Sequence, residues 1–73
     1  MVREYTIWIK CQSFNPERQN HEEIHFILAD DNQDAREQAD RLIRKLGTFD
    51  GSWLRTVTTI LDPDLKIAWS TFL

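Results

Sequence analysis

Seventy-three residues allow one small domain, and 41% apolar with 29% charged residues is an ordinary globular composition. The formal net charge is -3, from Lys+Arg 9 against Asp+Glu 12. One cysteine, Cys11, excludes a disulfide framework and a four-cysteine metal site within one chain, and the size excludes a multidomain enzyme.

Val2 to Cys11 reads as a strand, with Tyr5, Ile7, Ile9 and Cys11 on one face and Glu4, Thr6, Trp8 and Lys10 on the other. Gln12 to Asn20 is a polar loop holding the turn signal Asn15-Pro16. A second strand is expected from about Glu22 to Ala29. Its apolar residues Ile24, Phe26 and Leu28 alternate with Glu23, His25 and Ile27, and the first set is assigned to the core. Strand, polar loop and strand make a hairpin.

Asp30 to Gly47 carries one apolar stripe, Ala35, Ala39, Leu42, Ile43 and Leu46, at helical spacing. Asp31 caps its start, Asp34 suits the amino-terminal dipole, and Arg44 and Lys45 suit the last turn. Gly47 is placed to end the helix in a left-handed conformation. After a loop, Trp53 to Leu61 and Leu65 to Phe72 read as strands joined by Asp62-Pro63-Asp64-Leu65, a type I turn. The phase of Trp53–Leu61 is open, because Trp53, Val57 and Leu61 compete with Leu54 and Ile60 for the helix side. The expected architecture is one α+β domain over residues 1–73, a two-layer sandwich of order ββαββ. Its four-stranded antiparallel sheet has order 2-1-3-4, with one helix on one face.

Several patterns imitate chemistry. His21-Glu22-Glu23-Ile24-His25 matches the helical zinc-protease pattern H-E-x-x-H, but it leads into a strand, where positions four apart are about 13 Å apart. Asp30-Asp31-Asn32-Gln33-Asp34 opens like a calcium loop, yet Ala35 and Arg41 stand where Gly and Glu are required. Cys11 shares the phase of Ile7 and Ile9, so a buried, inert thiol is expected. Asp62 and Asp64 flank a turn, and the only glycines, Gly47 and Gly51, make no phosphate cradle. No catalytic residue, cofactor or metal site is assigned.

The aromatics carry the remaining signal. Trp8 projects to the sheet face away from the helix, with Ile27 beside it and Leu54, Ile60, Ala68 and Phe72 as further candidates. An open apolar sheet face marks an interaction site. Phe14 and Phe49 sit in the two loops as candidate anchors. The function expected is a non-catalytic protein–protein interaction module: an adaptor, an assembly factor or an inhibitor of a larger protein. Its partner is an unidentified protein or a second copy, bound through Trp8, Phe14, Ile27 and Phe49. One alternative is single-stranded nucleic-acid binding through Trp8, His25 and Arg55, which the acidic balance opposes. Another is a metal site assembled across subunits from His21, His25 and Cys11. No apolar run approaches the roughly 20 residues of a membrane span, no leader is visible, and a lone cysteine suits the cytoplasm.

Overall fold

The computed structural model describes residues 1–47 and 53–71, together with the backbone of 49–50. The elements are β1 (Arg3–Ser13), β2 (His21–Ala29), α1 (Asn32–Leu46), β3 (Phe49–Asp50), β4 (Trp53–Leu61) and β5 (Ile67–Ser70). All strand pairs are antiparallel. The sheet order is β2-β1-β4, and β3 and β5 pair with opposite ends of β4 along its outer edge. The expected ββαββ sandwich and its 2-1-3-4 order are present, with the two-residue β3 added. No helix among the described residues is long and apolar enough to cross a membrane.

Local chemistry sets the helix ends as the sequence suggests. Asp31 is the N-cap, and its Oδ1 accepts from the Asp34 amide at 2.8 Å. Asp34 in turn accepts from the Asp30 amide at 2.9 Å, so the acidic run serves a helix start. Gly47 ends the helix at φ 89, its amide bonded to the Ile43 carbonyl. On the outer side of the helix Arg36 pairs with Asp40, four residues on.

The helix seats on the sheet through two fully buried alanines, Ala35 and Ala39, which let it approach closely. Beneath them lie Tyr5, Ile7, Ile9 and Cys11 of β1, Ala29 of β2, and Val57 and Ile60 of β4. The Tyr5 hydroxyl donates to Asn32 Oδ1 at 3.1 Å, tying β1 to the first turn of α1. At its other end the helix reaches β4, where Arg55 Nη1 donates to the Leu46 and Gly47 carbonyls at 3.2 and 3.3 Å. The helix therefore crosses from β2 toward β4.

Two phases differ from expectation. Residues directly opposite in an antiparallel pair share a face. Tyr5 stands opposite Ile27 and Ile7 opposite His25, so the helix side of β2 carries His21, Glu23, His25, Ile27 and Ala29. Ile27 thus packs against the core, and Ile24, Phe26 and Leu28 lie on the open face. In β4 neither expected phase prevails. A bulge lets Trp8 face Thr59 while the next residue, Ile9, faces Val57, so Thr58 is extra. Its Oγ1 donates to the Trp8 carbonyl at 3.3 Å. The helix side then takes Trp53 and Val57 before the bulge and Ile60 after it. Ala68 also packs on the core, so neither Ile60 nor Ala68 joins Trp8, and Phe72 lies outside the described residues.

The last strand is shorter than the Leu65–Phe72 expected. Leu65 adopts φ 63, which ends the turn rather than starting a strand. Asp62 Oδ1 accepts from the amides of Asp64 and Lys66, both at 2.9 Å, and the Leu65 amide donates to the Asp62 carbonyl. A left-handed residue with a Cβ costs about 1–2 kcal/mol, and Leu65 is 70% exposed, so it gains little packing in return. Leu65→Gly should therefore raise stability by about 0.5–1 kcal/mol after the extra entropy of the unfolded glycine. Urea denaturation reads this directly, and a loss of stability would contradict the turn geometry.

Candidate functional site

The open face of the sheet is built in transverse rows fixed by the strand registers. One row runs Phe26, Thr6, Leu61 and Ile67 across β2, β1, β4 and β5. The next runs Ile24, Trp8 and Thr59. Leu28 and Glu4 flank the first row, and Lys10 with Glu22 flanks the second. Exposure is 49% at Ile24, 64% at Phe26, 66% at Leu28 and 56% at Ile67, values that belong to a surface rather than a core. With half-buried Trp8 and Leu61 the patch is on the order of 500 Å², the upper range that a monomer leaves open.

The other face carries a polar cluster at the loop end of the hairpin, beside the C-terminal end of α1. Cys11 lies between His21 of β2 and Arg55 of β4 in register, and Glu23 lies two residues beyond His21 on the same side. One ligand atom from each of Cys11, His21 and Glu23 falls within 4.8 Å of the other two. His25 Nε2 is 3.1 Å from Glu23 Oε2, His21 Nε2 is 3.8 Å from Oε1, and Arg55 Nε is 3.7 Å from Oε1. The His25 hydrogen bond holds the Glu23 carboxyl below its usual range, against the opposing effect of burial. Burial pushes the Cys11 thiol up, and its hydrogen bond to Glu23 pushes the same way. The site therefore holds a protonated thiol donating to an ionised carboxylate. Trp53 roofs it, edge-on to the His21 ring at 4.6 Å, with the Arg18 guanidinium 6.0 Å from the Trp53 ring.

Of the anchors expected from sequence, Trp8 lies on the open face, half-buried between Ile24 and Thr59. The neighbouring bulge does not turn it inward. Phe14 is exposed in the β1–β2 loop, which is closed by its own bonds: Ser13 amide to Asn20 Oδ1 at 2.9 Å and Arg18 amide to the Asn15 carbonyl at 3.0 Å. Ile27 is on the helix side and is corrected accordingly. The Phe49 backbone pairs with Leu54, and its side chain lies outside the described residues.

The sheet separates Trp8 from His25 and Arg55, so the stacking platform imagined for nucleic acid is not assembled. His21-Glu22-Glu23-Ile24-His25 is extended, and its two histidines meet the carboxylate between them. Glu23, Ile24, Phe26, Leu28, Leu61 and Ile67 were not among the candidates expected from sequence. The available signal was the hairpin itself, because closing a loop of residues 12–20 places Cys11 opposite His21. No family model matches the chain, and no curated protein or solved structure is significantly similar to it.

Proposed function

We propose that the protein is a non-catalytic protein–protein interaction module whose docking surface is the open sheet face, covered by a second copy of this chain. The observation that carries this reading is the contiguous apolar surface of Ile24, Phe26, Leu28 and Ile67 around Trp8. A stable interface takes about 800 Å² per partner, which this patch and a polar rim supply.

Self-complementarity argues for a second copy over an unrelated partner. A two-fold axis across the strands, between the Thr6 and Trp8 rows, sets the two β1 strands antiparallel over each other. Trp8 then faces the small Thr6 of the partner, and Glu4 faces the partner's Lys10. Two sheets packed in this way lie about 10 Å apart, with their strands within about 30°.

Sedimentation velocity across a concentration series tests the reading. The expected species is a dimer with a dissociation constant in the micromolar range or tighter. Phe26→Glu should weaken it at least about 30-fold while leaving the circular dichroism of the fold intact. Glu4→Lys or Lys10→Glu alone should weaken it a few-fold, and the double reversal should restore it. A monomer at every concentration, or a dimer indifferent to Phe26→Glu, overturns the proposal.

A further inference from the structure

We infer that Cys11, His21 and Glu23 form a mononuclear site for a zinc-like divalent cation at the loop end of the β1–β2 hairpin. The inference stands apart from the docking surface, since these residues lie on the opposite side of the sheet. A thiolate, an imidazole and a carboxylate are the donors that a borderline-soft, tetrahedral ion accepts, at bonds of about 2.0–2.3 Å. Such bonds place donors about 3.3–4 Å apart. The present separations, all within 4.8 Å, need only a small inward turn of the donors. His21 has that freedom, its side chain being 47% exposed.

The surroundings fit a metal ligand set. Glu23 Oε2 is held by His25, which leaves Oε1 toward His21 and fixes the carboxylate as an outer partner does around bound metals. Arg55 is the opposing feature, a cation 3.7 Å from Glu23. Its Nη1, however, is turned to the carbonyls of Leu46 and Gly47, at the negative end of α1, which offsets part of its charge. Thiolate and carboxylate together neutralise a divalent ion before Arg55 is counted. Binding is a proton exchange: the Cys11 S–H bond breaks, the sulfur keeps the electron pair and bonds the metal, and one proton leaves to solvent. The carboxylate loses the thiol hydrogen bond and gains the cation. A bound ion would staple both strands of the hairpin near its loop.

Cobalt(II) is the probe. Untagged protein, stripped with a chelator, should bind one cobalt per chain with a thiolate-to-cobalt charge-transfer band, and zinc should bleach that band. Cys11→Ser should lose the band, and His21→Ala should weaken binding about 100-fold or more. His25→Ala should weaken it about tenfold with the stoichiometry unchanged. His21 is exposed, so its variant should keep the circular dichroism of the fold and leave the comparison readable. Absence of the charge-transfer band, or cobalt binding unchanged by His21→Ala and Glu23→Gln, overturns the inference.

Discussion

Ile9→Ala should cost about 3–4 kcal/mol, a large share of the stability of any domain this small. Ile9 is fully buried at the middle of β1, opposite Glu23 on one side and Val57 on the other, one step from the bulge at Thr58. Its loss removes the transfer free energy of three carbons and leaves a cavity beneath the helix. Relaxation cannot fill that cavity cheaply. The helix is already as close as Ala35 and Ala39 allow, and the bulge is pinned by Thr58 Oγ1 to the Trp8 carbonyl. The other large, fully buried aliphatic residues among those described are Ile7 and Ile60, so little apolar bulk stands in reserve. A midpoint drop of roughly 15–25 °C is the thermal equivalent at this chain length. Both proteins must be compared at one chain concentration, because self-association ties the midpoint to it. A loss below about 1 kcal/mol would mean that the helix does not sit over β1.

What was legible in the sequence is what depends on one element alone. The helix from Asp31 to Gly47 shows its cap, its stripe and its stop in adjacent residues, and the strand Trp53–Leu61 has the bounds expected. The sheet order follows from element order and connection length. The phase of β2 was not legible from alternation, because apolar residues stand on both of its faces: Ile24, Phe26 and Leu28 against Ile27 and Ala29. Counting apolar residues selects the richer set, and here the richer set is the exposed one. Register with β1 decides the matter, and it depends on the loop between them.

That single choice of phase controls both candidate sites. With Phe26 inward, Ile27 joins Trp8 as an anchor, and Glu23 points away from Cys11. With Ile27 inward, the open face gains three large side chains, and the thiol acquires a histidine and a carboxylate. The β4 bulge is the second feature hidden from alternation, since an extra residue converts one phase into the other within a strand. Thr58 carries no local signal that separates it from Thr56 or Thr59.

The phase of β2 can be tested directly by moving one carboxylate across the sheet. Phe26→Glu should fold cooperatively, since Phe26 is 64% exposed and the new charge remains in water. It also weakens the proposed self-association, so at low chain concentration it supplies a monomeric background. Adding Ile27→Asp to that background should cost about 2–4 kcal/mol at neutral pH, because the carboxylate is forced against the core. Its surroundings add to the cost: Tyr5 is the register partner of Ile27, and its pKa is raised first by burial and then by the Asp31 carboxylate. Burial and like charge both push the introduced carboxyl upward. Its folded pKa then exceeds its unfolded one, so the penalty is fully present above the folded value. It shrinks as pH falls through the folded value toward the unfolded one, where both states are neutral. Urea melts of the single and double variants near pH 7 and near pH 4 should show a gap that narrows on acidification. If Phe26→Glu alone prevents folding while Ile27→Asp in the wild-type chain is tolerated, the register of β1 with β2 is off by one residue, and both proposed sites fall with it.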